Sequence, residues 1–171
     1  MANEKRLARE LQNLVNNKEP GFHVFYDQEC VFDAKPAIYI KFTVAAGLYE
    51  GQTHILRFNM QYKRDGEQHN FPFQPPSARF ITHILHANIG AEGGICLDTL
   101  KEKWIPVMSI LSVYQTIIVL LDTPNNESPL NANGIFNNMD TARGRTTEYY
   151  KKNINDSTIQ SILHHPSWTD L

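Results

Sequence analysis

The chain has 171 residues, of which 42% are hydrophobic and 20% charged, and its formal net charge is −2. These values are ordinary for a globular domain, and the small charge gives no reason to expect nucleic acid or an anionic membrane as partner. The polar N-terminus resembles no signal peptide, and the longest apolar stretch, within residues 109–121, is too short to span a bilayer. The two cysteines favour reduced thiols, so we expect a protein of the cytoplasm, the nucleus or both.

The first part of the chain predicts a helix followed by strands. In residues 4–16 the apolar side chains form one stripe, as in an amphipathic helix. Strand-like stretches follow at residues 23–26, 37–44 and 54–60, and the last two alternate in the manner of β-structure. Because short connections separate these stretches, we expect an antiparallel meander.

The middle of the chain is dominated by loop signals. Residues 63–70 are polar and contain a glycine, which predicts a surface loop. Residues 71–76 contain three prolines, which predicts extended backbone. A fourth strand is expected at residues 78–85. Residues 86–100 show neither helical nor strand periodicity and hold three glycines, so we expect irregular backbone there.

The last part of the chain is predicted to be helical. Residues 106–121 are apolar on most sides, which is typical of a helix inside a core. A turn is expected at residues 124–129, followed by two helices at residues 131–139 and 146–165. A helix, then strands, then helices in this order indicate the α+β class.

One cysteine lies where chemistry is possible. Cys96 falls in the irregular, glycine-bearing stretch, and such segments carry function more often than core elements do. For a cysteine taken alone, however, the default interpretation is a buried structural thiol. The residues also leave open a disulfide between Cys96 and Cys30.

Other kinds of site find less support in the residues. Cys96 with His86 and Asn88 could form the nucleophile, base and orienter of a cysteine hydrolase, but no protease signature surrounds the cysteine. We interpret His86 as hydrogen-bonded to nearby backbone. His83 and Asp98 complete a set of metal-ligand types without metal-site spacing, so no metal is expected. The glycines do not open a helix after a strand, which argues against a phosphate loop.

Residues 71–131 closely resemble the catalytic core of ubiquitin-conjugating enzymes. The markers occur in the family's order and at family-like spacing: FPFQPP at 71–76, HAN at 86–88, Gly93, ICLD at 95–98, Trp104 with Pro106, and PNNESPL at 124–130. The resemblance extends more weakly over nearly the whole chain. It implies a single domain over residues 1–171 with the UBC fold: an N-terminal helix, a four-stranded antiparallel meander, a central helix and two C-terminal helices.

The resemblance also implies a mechanism. Cys96 would take ubiquitin from an activating enzyme as a thioester, which a substrate lysine or a ligase cysteine then attacks. Asn88 matches the family's asparagine, which is usually assigned to oxyanion stabilisation, although a role in holding the loop is a rival. His86 matches a structural histidine, and Leu97 and Asp98 flank the nucleophile.

The resemblance also implies partner-binding surfaces, because several residues match the positions that the family uses for binding. Lys5, Arg6 and Arg9 match the basic face that binds the activating enzyme, with a solvated charged face as the simpler alternative. The loops that bind RING-type ligases are matched by Phe73, Pro106 and Val107, for which ordinary packing is the alternative. The other partners implied are ubiquitin or a related modifier and a protein substrate. No prosthetic group is implied, because the activating enzyme consumes the ATP.

The chain departs from the family pattern at four places. Ala87 replaces a proline, which restores an N–H and loosens the backbone. Ser128 stands where many members have an aspartate that assists the incoming lysine. Gln115 replaces a leucine that many members present to the donor ubiquitin. The stretch 60–70 is longer than usual, which suggests an altered choice of ligase.

Three rival functions remain. A non-catalytic binding module of the same fold would lack the cysteine, so Cys96 argues against it. The second rival is a conjugating enzyme for another ubiquitin-like modifier, and the residues do not distinguish it from a conjugating enzyme for ubiquitin. A cysteine hydrolase is the third rival, and it predicts turnover without ATP or an activating enzyme.

Overall fold

A computed structural model describes residues 2–32, 35–64, 66–95 and 103–168. The helices are α1 (Ala2–Val15), α2 (Ile110–Asp122), α3 (Met139–Asn153) and α4 (Ser157–Leu163). The strands are β1 (His23–Asp27), β2 (Ala37–Thr43), β3 (Thr53–Asn59), β4 (Gln61–Arg64), β5 (Glu67–Asn70) and β6 (Ser77–Phe80). None of the helices in these ranges is long and apolar enough to cross a membrane.

The main sheet has the predicted antiparallel meander. Its strand order is β1-β2-β3-β6, and neighbouring strands are antiparallel, with Ile38 opposite Tyr26 and Phe58. Strand β6 is shorter than the predicted stretch 78–85, because residues 81–85 leave the ladder. The α+β class and the four-stranded antiparallel meander are therefore confirmed.

Alternation along β2 sends side chains to two different cores. Ile38, Ile40 and Phe42 lie on the face that packs against α1 and α2. On the opposite face Tyr39 packs in a second cluster, with Ile162 of α4 and with Trp168. The C-terminal segment thus covers the face of the sheet opposite α1 and α2.

Specific contacts hold the C-terminal segment against this face of the sheet. Trp168 donates its indole N–H to the carbonyl of Ile162 over 2.7 Å, and its ring lies 5.9 Å from that of Phe25. The His165 ring stacks on Phe25 at 4.7 Å, and the Lys41 ammonium lies 4.8 Å from the centre of the Trp168 ring. The sheet is consequently sandwiched between two layers of side chains.

The predicted loop at 63–70 is wrong, because this segment forms a hairpin. Strands β4 and β5 pair so that Arg64 lies opposite Glu67, with two residues connecting them. Gly66 has φ +82°, which suits the left-handed backbone of such a connection. The rings of Tyr62 and His69 stack across the pair at 5.0 Å.

Two predictions in the centre of the chain also need correction. Residues 71–76 are not simply extended: a turn begins with a cis peptide between Phe71 and Pro72, and the Gln74 N–H donates to the carbonyl of Asn70. The central helix starts at Ile110 rather than at 106. Its N-cap is Ser109, which exchanges hydrogen bonds with Ser112 in a capping box, and this fixes the start.

The C-terminal helices differ from their predicted boundaries. Residues 131–138 contain only a 3₁₀ turn, Ala132–Gly134, because the Asn138 side chain caps α3, which begins at Met139. The predicted helix at 146–165 is divided, since Asp156 caps a separate α4. The expected number of two C-terminal helices is correct.

Candidate active site

The candidate site is built around a buried turn that follows β6. His86 and Ile89 form an antiparallel bridge across this turn, and Ile89 forms a second bridge with Ile95. Ile95 immediately precedes Cys96, so the turn holds the chain at the entry to the predicted nucleophile. Cys96, Leu97 and Asp98 themselves lie outside the residues that the structure describes.

A glycine turn packs against the end of β6. The Phe80 N–H donates to the carbonyl of Gly93 over 2.9 Å, and Gly90 donates to the carbonyl of Gly94 over 2.9 Å. Gly93 has φ +78°, and a Cβ there would overlap the Phe80 carbonyl oxygen. Only glycine therefore fits this close approach, which fixes the direction of the chain toward residue 95.

His86 is fully engaged inside the protein. Its Nε2–H donates to the carbonyl of Leu120 over 2.9 Å, while Nδ1 accepts the N–H of Asn88 over 3.0 Å. Burial lowers the pKa of His86 to about 4, and the bond to Leu120 opposes this only in part. The ring is therefore neutral at physiological pH, and its geometry supports a structural role.

The side chain of Asn88 holds the loop that follows α2. Its Nδ2 donates to the carbonyl of Asn125 over 2.7 Å, and its Oδ1 accepts the N–H of Asn125 over 2.7 Å. Asn88 is buried, so both bonds are protected from water. This geometry supports the loop-holding role, and one amide hydrogen of Nδ2 is left over for another acceptor.

Ala87 is buried between the turn and the segment after the loop. Its carbonyl accepts the N–H groups of Leu130 and Asn131 over 2.8 and 3.0 Å. Gly134 packs directly on the peptide between His86 and Ala87, since a Cβ at Gly134 would overlap the carbonyl carbon of His86. Sequence reasoning missed Gly134, because only the fold brings it to this turn.

Ser128 is exposed on the loop 123–130. The loop is anchored at Asn125 by Asn88 and at Leu130 by Ala87. Within it, Glu127 donates its N–H to the Asn125 side chain over 3.0 Å. Ser128 thus lies between two anchored residues of the loop, Asn125 and Leu130, and both are bound by residues of the buried turn.

Comparison with known proteins decides the family. The model of the family described as "Ubiquitin-conjugating enzyme" matches residues 6–166. The chain belongs to the ubiquitin-conjugating enzyme family.

Individual relatives and a solved structure support the same family assignment. A Nematostella vectensis protein named "Ubiquitin-conjugating enzyme E2 S" is 35% identical over 127 residues, covering 74% of this chain and 57% of that protein. The Schizosaccharomyces pombe "Ubiquitin-conjugating enzyme E2-20 kDa" is 33% identical over 129 residues, covering 75% and 68%. The chain thus spans little more than half of the first relative. The crystal structure of a "putative ubiquitin conjugating enzyme" from Plasmodium yoelii matches with TM-score 0.69 and 25% identity, over 86% and 92% of the two chains.

The ligase-binding residues predicted from the family pattern lie on an exposed apolar surface. Phe73 and Val107 are 70% and 80% exposed, and Pro106 is exposed beside them. Ile105, which sequence reasoning did not select, is 54% exposed on the same loop. The indole N–H of Trp104 donates to the carbonyl of Pro72 over 2.8 Å, so the two loops are linked directly.

The basic residues of α1 do not share one environment. Lys5 and Arg9 are exposed. Arg6 instead directs its guanidinium into the protein, where it donates to the carbonyl of Pro106 over 2.7 Å. The predicted basic face is therefore made by two of the three side chains.

The described residues carry only part of the alternative sites, since Cys96 and Asp98 lie outside them. In that part of the chain no group of three metal-ligating side chains is close enough to hold a metal ion. Both ring nitrogens of His86 are already hydrogen-bonded. Cys30, which follows β1, is a free thiol.

Proposed function

We propose that this chain accepts ubiquitin, or a related modifier, from an activating enzyme as a thioester on Cys96 and transfers it to a substrate lysine or to a ligase. One observation carries the proposal. The buried turn at 86–89 pairs with Ile95, next to the proposed nucleophile, while its Asn88 holds the loop that carries Ser128. The turn, the residue before the proposed nucleophile and a loop 37 residues further along the chain are thus joined at one place, as a transfer reaction requires.

The chemistry needs few groups. The Cys96 thiolate attacks the thioester carbonyl, and the activating enzyme's cysteine leaves as its thiolate. In the second step a lysine amine attacks the new thioester, loses a proton, and expels the Cys96 thiolate. Each attack places negative charge on the carbonyl oxygen, so an N–H donor nearby lowers the barrier. The remaining Nδ2–H of Asn88 is our candidate donor.

The departures from the family pattern bear on the second step. Ser128 lacks the charge of an aspartate, and Glu127 beside it on the exposed loop is the candidate to assist the lysine. Gln115 is exposed on α2, where a leucine would offer more apolar surface to a bound modifier. The backbone carbonyl of Ala87 accepts two N–H groups and keeps the turn packed, as the carbonyl of a proline would. We infer an active enzyme whose closed state is weaker than usual.

The partner surfaces follow from exposure. We assign Lys5 and Arg9 to the activating enzyme and Phe73, Ile105, Pro106 and Val107 to a RING-type ligase, because these side chains are open to solvent. We further propose that the chain works without a prosthetic group, since ATP is consumed by the activating enzyme, and that it works in the cytoplasm or nucleus. A conjugating enzyme for another ubiquitin-like modifier is the second candidate, because Gln115 alters the modifier-facing side of α2.

A thioester assay tests the proposal. The protein is incubated with an activating enzyme, ATP and labelled ubiquitin, and the products are separated with and without reducing agent. We expect a reducible adduct that disappears in Cys96→Ala and becomes resistant to reduction in Cys96→Ser. Cys30→Ser is the matched control, because Cys30 is the chain's other thiol, and it should load normally.

The same assay separates the rivals. An adduct formed only with a different modifier and its own activating enzyme would select the second candidate. A folded protein that loads none of them would overturn the catalytic proposal and favour a binding module. Release of labelled product without ATP would indicate a hydrolase.

A further inference from the structure

All three guanidinium nitrogens of Arg6 donate hydrogen bonds within the molecule. Its Nη1 donates to the carbonyl of Pro106 over 2.7 Å, and its Nη2 donates to the carbonyl of Met108 over 2.6 Å. Its Nε donates to Glu10 Oε1 over 2.7 Å. The side chain is only 21% exposed, and the two bonds to Pro106 and Met108 join α1 to the loop before α2 in a partly dry environment.

Glu10 extends this link to the start of α2. Its second carboxylate oxygen accepts the N–H of Ile110 over 2.8 Å, and Ile110 is the first residue of that helix. The carboxylate therefore satisfies a donor that has no partner within the helix, and its charge is favourable at a helix N-terminus. With only 2% of its side chain exposed, Glu10 holds both Arg6 and α2.

Arg6 also contacts the other loop of the apolar surface. Its guanidinium carbon lies 5.0 Å from the centre of the Phe71 ring, and Phe71 packs on Trp104 at 5.9 Å. Trp104 in turn donates to the carbonyl of Pro72. One arginine thus contacts both segments whose tips, Phe73 and Val107, are exposed.

We propose that Arg6 is a positioning residue for the ligase-binding surface and makes no contact with the activating enzyme. This inference rests on the proposed function. Because the Arg6 nitrogens are occupied by Glu10 and by the loop carbonyls, the charge that α1 offers to an activating enzyme comes from its exposed neighbours, Lys5 and Arg9. The two steps of the reaction then depend on different residues of one helix.

The test measures loading and ligase response separately. Loading is followed at a limiting concentration of activating enzyme. Discharge to free lysine is then measured from purified thioester, first alone and then with rising concentrations of a RING domain that stimulates the wild-type protein. The variants are Arg6→Gln, Arg6→Lys, Lys5→Gln and Arg9→Gln. Arg143→Gln on α3 is the matched control, because that arginine makes only a surface ion pair with Glu50 at 3.6 Å.

We expect Arg6→Gln to load and to discharge without ligase at the wild-type rate, but to need about ten times more RING domain for half-maximal stimulation. Arg6→Lys should behave similarly, because one ammonium group does not replace the fork of three nitrogens. Lys5→Gln and Arg9→Gln should slow loading instead. In NMR spectra of Arg6→Gln the indole N–H signal of Trp104 should shift and that of Trp168 should not.

The opposite pattern would overturn the inference. Slower loading of both Arg6 variants, with an unchanged ligase titration, would make Arg6 a contact for the activating enzyme. If Arg6→Gln impaired both loading and the ligase response, or impaired neither, a positioning role confined to the ligase surface would equally be contradicted. Failure of the wild-type protein to load is a separate outcome, because it contradicts the proposed function itself.

Discussion

The side-chain amide of Asn88 pairs with both backbone polar groups of Asn125. The two hydrogen bonds are each 2.7 Å long, and they join the buried turn at 86–89 to the loop that carries Ser128. An amide that is used in this way is a structural clamp, and the same amide is our proposed donor for the reaction. The position of the loop and the polarity of the proposed reaction centre therefore depend on one residue.

Replacing this clamp should affect stability and not only the reaction rate. Asn88→Ala leaves the Asn125 N–H and carbonyl without their partners, so we expect a loss of roughly 2–4 kcal/mol in the free energy of unfolding. Urea denaturation measures that loss, and aminolysis of the thioester measures the rate. Asn125→Ala is the control, because the alanine keeps the backbone groups that Asn88 binds, and it should cost far less. Unchanged stability in Asn88→Ala would leave Asn88 with a purely chemical role.

A second prediction concerns the glycine that packs on the site. In Gly134→Ala the new Cβ would lie 2.5 Å from the Ala87 nitrogen, where only backbone is available to move. We expect a loss of about 3 kcal/mol in stability and slower discharge, because the turn must shift. Gly144→Ala on α3 is the matched control, since a Cβ there has no atom within 4 Å, and it should be neutral or stabilising. Equal stability of the two variants would contradict the close packing.

Stability should also depend on pH through two buried histidines. Burial lowers the pKa of His86 to about 4 and that of His54 to about 3, from 6.5. Both rings stay neutral in the folded state, whereas the unfolded chain binds protons below about pH 6.5. Their stabilising contribution is therefore complete above that pH and is lost as the pH falls toward 4, at up to ~1.4 kcal/mol per pH unit for each histidine.

Denaturation at several pH values can isolate the His54 contribution. His54 accepts a hydrogen bond from Thr82 at Nδ1 and donates to Gln52 from Nε2, so glutamine is the replacement closest to its polar environment. Between pH 6.5 and 4.5 the free energy of unfolding of His54→Gln should fall less steeply than that of the wild type. Parallel curves would mean that the buried ring does not titrate as inferred.

The parts of the fold that depend on local patterns could be predicted from the sequence. Alternation in β2 predicted its strand because successive side chains point to opposite faces of a sheet, and the apolar stripe of α1 predicted its helix. Helix boundaries were less accurate, because side-chain caps decide them. Ser109, Asn138 and Asp156 each cap the start of a helix, and residues of these types are also favoured in turns.

The contacts of the site were not predictable from one sequence. The clamp between Asn88 and Asn125 and the packing of Gly134 join residues that only the tertiary fold brings together. Arg6 shows the same limit, because its spacing on α1 indicates a surface charge while its guanidinium reaches the carbonyls of a distant loop. The family pattern singled out Asn88 without specifying its contacts, and it did not include Gly134.

The β4–β5 hairpin supports a last prediction, on ligase choice. Its base holds the turn that carries Phe73: the Tyr62 hydroxyl donates to the carbonyl of Pro75 over 3.2 Å, and the Asn70 N–H donates to the Gln74 side chain over 2.8 Å. Toward its tip, the side chains of Lys63, Glu67 and Gln68 are exposed. We therefore expect the base to maintain the ligase surface and the tip to select among ligases.

Shortening the tip separates these roles. Replacing residues 63–68 with Asn-Gly joins Tyr62 to His69 by a two-residue turn and keeps their stacked pair. Loading should be unchanged, because α1 and the buried turn are untouched, while the order in which a panel of RING domains stimulates discharge should change. Lys63→Ser, which keeps the hairpin length, is the control. The same ligase order in the shortened and full-length proteins would show that the tip has no part in the choice, and the hairpin would then serve only to hold Pro75 and Gln74.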